Sequence, residues 1–171
     1  MAIIYDEKEQ VFMLNTPNTT YAIAVTDGTY LCHLYYGKKI QDSHIRYLLR
    51  EDELPFVPSK NYREKNTFLD TFPMEYPETG MGDYRQSAFC VRDAEGHRAS
   101  ACIYKGYEIK AGKPKLPGMP ATFAEEDVCS TLYLHCEDPV LGLRLCLMYS
   151  VFEDVDVITR SVRVENIGGN P

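Results

Sequence analysis

The sequence contains no tryptophan, no Cys-x-x-Cys pair, no apolar run of membrane-spanning length and no surplus of basic residues. Lys and Arg number 18 against 25 Asp and Glu, which gives a formal net charge of −7. Nucleic acids and anionic membranes both favour a basic face, so neither is expected as a partner. The apolar start, residues 1–5, is too short for the core of a signal peptide. The sequence therefore predicts a cytoplasmic protein.

Six cysteines are present, most of them inside apolar strand-like runs. A free thiol in such a run behaves as a small hydrophobic side chain, and this is the interpretation we adopt. Zinc binding by His135 and Cys136 with distant partners is the alternative. The sequence predicts no metal and no other cofactor.

Short β-branched and aromatic runs alternate with turn residues along the 171-residue chain. This pattern is typical of an all-β fold, and we predict a single antiparallel β-sandwich domain over residues 1–171. The first three runs predict a meander whose last turn is Asp27-Gly28. The predicted strands are residues 10–15, 20–25, 29–36, 87–92, 97–104, 128–136 and 141–152.

Three smaller patterns refine this fold. Ile45, Leu48 and Leu49 have the spacing of one helical turn. The odd-numbered apolar residues of 143–151 predict one buried strand face. Apolar positions change from odd to even after Val157, which predicts a β-bulge near residues 157–159.

Long irregular loops are predicted over residues 54–70 and 72–85. Loops of this length inside a compact domain are uncommon and are usually functional. The second loop combines two prolines, two glycines and several aromatic and charged residues. We expect Tyr76, Asp83, Tyr84 and Arg85 to contact a sugar or a neighbouring subunit, whereas a crossover with core-capping aromatics is the alternative.

Carboxylates in these loops are the candidates for acid–base chemistry. Glu75 and Asp83 could face each other across the glycine turn at the separation a glycosidase needs, with Glu78 and Asp70 nearby. The alternative is that they are solvated charges or turn caps. The sequence lacks the G-x-S-x-G and H-E-x-x-H motifs and a phosphate-binding loop.

Five short motifs follow one another along the chain: residues 34–37 (LYYG), 75–77 (EYP), 80–85 (GMGDYR), 116–123 (LPGMPATF) and 157–161 (VITRS). In this order and at this spacing, they resemble the glycoside hydrolase family 36 α-galactosidases. The resemblance extends over essentially the whole chain and is to the N-terminal β-supersandwich domain, although to less than the whole of that domain.

The resemblance implies a parent enzyme that hydrolyses terminal α-galactosides such as melibiose or raffinose with retention. It places the two catalytic aspartates on a (β/α)₈ barrel, whose motifs include a tryptophan and are absent from this chain. We therefore expect this chain to be a fragment that is inactive alone and contains no catalytic residue. Its expected partners are its own catalytic barrel, neighbouring subunits of a homo-tetramer and an α-galactoside oligosaccharide.

The same resemblance implies that residues 52–70 reach a neighbouring subunit's active site. Asp52 or Glu53 would supply the acidic contact to the sugar, and Arg63 or Lys65 the basic one. An autonomous carbohydrate-binding module that uses residues 76–85 is the alternative function. A complete small glycosidase using Glu75 and Asp83 is a third hypothesis. We also expect an unpaired edge strand that makes the isolated chain self-associate.

Overall fold

The computed structural model describes residues 2–49, 72–81, 86–120, 122, 124 and 128–169. Within these residues, eight β-strands form two four-stranded antiparallel sheets, and the strands follow chain order in each sheet. The predicted all-β antiparallel sandwich is therefore confirmed. The first sheet contains β1 (Ile3–Asp6), β2 (Val11–Asn15), β3 (Thr19–Thr26) and β4 (Tyr30–Lys38). The second contains β5 (Ile103–Ala111), β6 (Cys129–Asp138), β7 (Leu143–Phe152) and β8 (Ile158–Asn166).

The hairpin between β3 and β4 has the turn that the sequence predicts. Asp27 and Gly28 both have positive φ, at 50° and 62°. Two such residues in succession form the turn whose twist matches the flanking strands, and Asp-Gly adopts it readily. The three predicted strands around this turn are confirmed as β2, β3 and β4, while β1 was not predicted.

The main hydrophobic core lies between the two sheets. Each sheet contributes the side chains of one face, as alternation along a strand requires. On β7 that face consists of the odd-numbered residues from Leu143 to Val151, as predicted. Its other large members include Ile3, Phe12, Leu14, Ile23, Leu132 and Leu134.

The first sheet is buried on its second face as well. Ile45, Leu49 and Phe72 pack there against alternate residues of β2, β3 and β4. Ile45 and Leu49 flank a single 3₁₀ turn, Arg46–Leu48, so one helical turn is present at the predicted place. Burial on both faces explains why residues 11–14 are apolar without alternation.

Two strand predictions differ from the structure. Residues 87–92 and 97–102 form no strand, and β5 begins only at Ile103. The turn between them does exist, because the Asp93 N–H donates to the His97 carbonyl across 3.1 Å. Phe89 and Val91 make this segment look like a strand in sequence because they pack against the core from an irregular backbone.

The predicted bulge at residues 157–159 is also wrong. The chain leaves β7 at Phe152, turns, and returns as β8, with Ile158 opposite Val151. The change from odd to even apolar positions reflects this reversal. Register shifts occur instead between Ala22 and Ile23 and between Tyr104 and Gly106. Over the described ranges, no helix is both long enough and apolar enough to span a bilayer.

Candidate functional site at the buried Glu75 carboxylate

Glu75 is held in place by backbone hydrogen bonds to β4. The His33 N–H donates to the Pro73 carbonyl across 2.7 Å, and the Glu75 N–H donates to the Leu31 carbonyl across 2.9 Å. Between them, Met74 and Cys32 form an isolated β-bridge. Residues 73–75 thus lie along β4 like a very short added strand.

The Glu75 carboxylate accepts hydrogen bonds from both sheets. The Tyr21 hydroxyl on β3 lies 2.8 Å from each carboxylate oxygen. From the second sheet, the Tyr149 hydroxyl donates to Oε1 across 2.6 Å, and Arg160 Nη2 lies 2.8 Å from the same oxygen. The Glu75 side chain is only 1% exposed. Burying a carboxylate is costly unless it is paired and hydrogen-bonded, and these three donors meet that requirement.

The surrounding groups respond to this buried charge. Burial, followed by the charge of Glu75, raises the pKa of Tyr21 and of Tyr149, so both phenols remain protonated donors. Burial opposes the charge of Arg160, but Tyr149 and Glu75 outweigh it and raise the pKa of the guanidinium. The Arg160 guanidinium also lies over the Tyr149 ring, 5.2 Å from its centroid. The charge of Glu75 is therefore balanced by the Arg160 guanidinium, and the Tyr21 and Tyr149 hydroxyls complete the hydrogen bonding of the carboxylate.

A pocket of about 180 Å³ opens on the outer side of this cluster. Its walls come from both sheets: Tyr21, Tyr36, Tyr149, Ile158 and Arg160. The rings of Tyr21 and Tyr36 are tilted, with centroids 5.8 Å apart, and those of Tyr21 and Tyr149 are stacked at 6.1 Å. Two of the sequence motifs, residues 34–37 and 157–161, contribute to this lining, and Glu75 of a third motif is bonded to its Tyr21, Tyr149 and Arg160. We refer to it as the Tyr36 pocket.

A second buried carboxylate, Glu78, lies three residues further along the chain. The Cys102 N–H lies 3.2 Å from both of its carboxylate oxygens. Burial raises the pKa of Glu78, although hydrogen bonds from Ser100 and Cys102 act in the opposite direction. Next to it, the Gly80 N–H donates to the Ser100 carbonyl across 2.8 Å. Glu78 thus binds the segment ahead of β5 rather than facing an open cleft.

Most of the predicted site residues lie outside the described residues, and their roles stay predictions. Tyr76 is described: its half-buried ring stacks on Phe89, with centroids 5.7 Å apart, and packs against the main core. The residues outside the described ranges are Asp52, Glu53, Arg63, Lys65, Asp70, Asp83, Tyr84 and Arg85.

The structure changes the interpretation of two candidates. Glu75 is saturated with donors and inaccessible, so it is poorly placed to exchange protons with a substrate. His135 and Cys136 are neighbours on β6, and only Cys136 enters the main core. Adjacent strand residues point to opposite faces, so the two side chains cannot bind one zinc ion together.

One cluster among the described residues brings three potential metal ligands together: Asp93, Glu95 and His97, with ligand atoms within 4.8 Å of one another. The Asp93 carboxylate already accepts from the backbone N–H groups of Glu95 and His97, and its Oδ2 lies 2.8 Å from His97 Nδ1. These bonds close the turn. We assign the cluster a structural role.

Sequence reasoning missed Tyr21, Tyr149 and Arg160 as site residues. Arg160 lies within the motif of residues 157–161, but nothing in the sequence indicates that it contacts Glu75. The two tyrosines lie in ordinary strand alternation. Only the packing of the sheets reveals that their hydroxyls meet one carboxylate.

Comparison with known proteins identifies relatives over almost the whole chain. The family model for the glycosyl hydrolase family 36 N-terminal domain matches residues 29–171. The bifunctional α-galactosidase/sucrose kinase AgaSK of Mediterraneibacter gnavus is 39% identical over 170 residues, which cover 98% of this chain and 18% of that protein.

Solved structures agree in fold as well as in sequence. The galactosidase domain of AgaSK superimposes with a TM-score of 0.90 at 38% identity, covering 99% of this chain and 24% of the other. A second solved structure is a substituted form of AgaA, the family 36 α-galactosidase of Geobacillus stearothermophilus, in complex with raffinose. It superimposes with a TM-score of 0.85 at 34% identity, covering 94% of this chain and 22% of the other. The chain thus spans about a fifth to a quarter of the length of these proteins.

Proposed function

The chain belongs to glycosyl hydrolase family 36, as its N-terminal domain, and on this premise we propose that it is the non-catalytic sandwich of a retaining α-galactosidase. The parent protein would hydrolyse terminal α-galactosides such as melibiose or raffinose. The match over residues 29–171 carries this proposal. The raffinose complex of the Geobacillus relative supports the substrate class.

The state of the buried carboxylates supports a non-catalytic role. Glycoside hydrolysis requires two carboxyl groups that flank an accessible sugar. Glu75 is occupied by Tyr21, Tyr149 and Arg160, and Glu78 by the backbone ahead of β5. Neither of these two carboxylates is free to act on a sugar, which supports a catalytic centre elsewhere in the parent protein.

The proposal extends to the rim of the active site and to the oligomer. Residues 52–70 would reach the sugar in a neighbouring subunit, with Asp52 or Glu53 as acceptor and Arg63 or Lys65 as donor. Tyr84 and Arg85 would contribute to the contact between subunits, since Tyr and Arg are enriched in interfaces. A homo-tetramer in the cytoplasm is the assembly we infer from the family resemblance.

Activity measurements test whether hydrolysis requires the rest of the parent protein. We expect the full-length protein to hydrolyse a chromogenic α-galactoside and the chain of residues 1–171 to show no turnover. Turnover by the short chain would refute the non-catalytic assignment. Inactivity of the full-length protein on every α-galactoside tried would refute the substrate class.

Substitutions in the full-length protein test the rim. Arg63→Ala or Lys65→Ala should lower kcat/KM by about tenfold, which corresponds to the loss of one polar contact to the sugar. Lys38→Ala, at an exposed position on β4, is the matched control and should leave kcat/KM unchanged. Light scattering on the same samples determines whether the assembly is a tetramer. Unchanged kinetics in both rim variants would remove these residues from the site.

A further inference from the structure

The Tyr36 pocket combines aromatic walls with one charged group. Tyr21 and Tyr149 direct their hydroxyls at Glu75, so they line the pocket with ring carbon. Ile158 adds an aliphatic surface. Tyr36 is 66% exposed and projects from β4 at the mouth of the pocket. Small-molecule sites typically have such apolar and aromatic walls with few polar groups.

The charge of the pocket is balanced. Arg160 is the charged residue of the lining, and its Nη2 lies 2.8 Å from the buried carboxylate of Glu75. An anionic ligand would therefore compete with a carboxylate that is already in place. A neutral ligand has no such competitor. The local electrostatics favour an uncharged molecule.

Hydrogen-bonding capacity nevertheless remains at the surface of the pocket. The described residues provide no hydrogen-bond partner for the Tyr36 hydroxyl. The contacts of Arg160 to Glu75 and Tyr149 use Nη2, which leaves Nη1 and Nε without an acceptor in the described part of the chain. A guanidinium has five N–H donors, and the Arg160 side chain is 49% exposed. The pocket can therefore donate to hydroxyl or ether oxygens.

We propose that the Tyr36 pocket binds one pyranose ring of a neutral saccharide. The C–H face of the sugar would lie against Tyr36 and Tyr21, while Arg160 and the Tyr36 hydroxyl bond its oxygens. A volume of about 180 Å³ is below the roughly 300–1,000 Å³ of drug-sized sites, which limits the pocket to a single ring. This site goes beyond the proposed function, because it needs no catalytic group and no neighbouring subunit.

Saturation-transfer NMR on the full-length protein tests the pocket. The probe is methyl β-D-galactopyranoside, whose β-linkage an α-specific hydrolase does not cleave. 1-Deoxygalactonojirimycin, present at saturation, occupies the catalytic centre of an α-galactosidase so that the remaining signal reports other sites. We expect a residual binding signal in the native protein and a Kd about 5- to 10-fold weaker in Tyr36→Ala, which removes one aromatic contact.

Tyr47→Ala is the matched control, since Tyr47 is also an exposed tyrosine, at 80%, and lies outside the pocket. It should bind like the native protein. Equal binding in Tyr36→Ala and Tyr47→Ala would overturn the proposal, and so would the absence of any residual signal in the native protein. Failure of the proposed enzyme function can be told apart from failure of this pocket. The first would appear as missing α-galactoside turnover, whereas the second would appear as missing binding that depends on Tyr36.

Discussion

The Tyr149 hydroxyl lies 2.6 Å from the Glu75 carboxylate, and this contact joins the centre of the second sheet to a segment that is hydrogen-bonded to the first. Tyr149 is 1% exposed, so the bond is shielded from water. A hydrogen bond to a charged acceptor is about twice as strong as one between neutral groups. The pair therefore acts as a polar connection across an otherwise apolar interface.

Glu75→Gln tests the strength of this connection. The amide keeps the shape of the side chain but removes the charge that balances Arg160 and that three donors share. The Arg160 side chain is 49% exposed and can be hydrated in the variant, so the main loss is that of the hydrogen bonds to a charged acceptor. We expect the free energy of unfolding to fall by about 2 kcal/mol. Urea denaturation monitored by circular dichroism measures it.

Glu165→Gln is the control for that experiment. Glu165 lies on β8, is 40% exposed and pairs with Arg144 and Arg163. Exposed pairs contribute about 0–1 kcal/mol, so this variant should be nearly as stable as the native chain. Equal losses in the two variants would contradict a special role for Glu75.

Glu78 gives stability a defined pH dependence. Burial raises its pKa above the ordinary value of 4.5, so the folded protein holds the proton more tightly than the unfolded chain. The contribution of this group to stability is greatest below pH 4.5 and is lost as the pH rises through the raised pKa. Glu78→Gln, which resembles the protonated form, should therefore gain stability relative to the native chain as the pH rises from 4 to 8.

Thermal melts of Glu78→Gln and the native chain at several pH values measure this difference. Glu165→Gln, measured at the same pH values, separates the effect of the buried carboxyl from that of losing one negative charge. A difference for Glu78→Gln that stays constant with pH would show that Glu78 does not titrate in this range.

Gly80→Ala probes the close approach of two backbone segments. An added Cβ would lie 2.7 Å from the Ser100 carbonyl carbon, and backbone atoms cannot move aside as a side chain can. We expect a loss of about 2 kcal/mol, as for other overpacked positions. Gly106→Ala on β5 is the control, because nothing lies within 4 Å of its added Cβ. Calorimetric melts compare them, and similar losses would rule out the steric explanation.

Self-association of the isolated chain tests the role of β8. In the described part of the chain, β8 is the last strand of its sheet, and Val162 and Val164 are 36% and 47% exposed on it. Edge strands with apolar side chains favour pairing between chains. We expect sedimentation of residues 1–171 to show dimers or larger species, and Val164→Lys to reduce them. A native chain that stays monomeric at high concentration would refute this.

Local chemistry made several elements predictable. The Asp27-Gly28 turn is determined by two adjacent residues that tolerate positive φ, and the buried face of β7 by strict alternation. The segment around Phe89 misled the prediction because apolar residues can reach the core from an irregular backbone. An apolar pattern indicates that a segment is buried, but it does not indicate whether the backbone of that segment pairs as a β-strand.

The site was harder to predict than the fold. Glu75 stood out as a loop carboxylate, but its partners Tyr21, Tyr149 and Arg160 are far away in the sequence. The alternation of residues within one strand does not reveal which other strand it packs against. The role of Glu75 as a buried hydrogen-bond partner, rather than an acid–base group, therefore becomes visible only from the packing of the two sheets.

The separation of the two meanders along the chain affects how the protein is made. β4 ends at Lys38 and β5 begins only at Ile103, so a ribosome completes one sheet long before it begins the other. Until β6 and β7 emerge, the newly made first sheet lacks the opposite face of the sandwich over its inner row of Ile3, Phe12, Leu14 and Ile23. Exposed apolar strands of this kind are prone to aggregation during synthesis. A chaperone that shields the first sheet, β1 to β4, would act at the most vulnerable stage of this domain's synthesis.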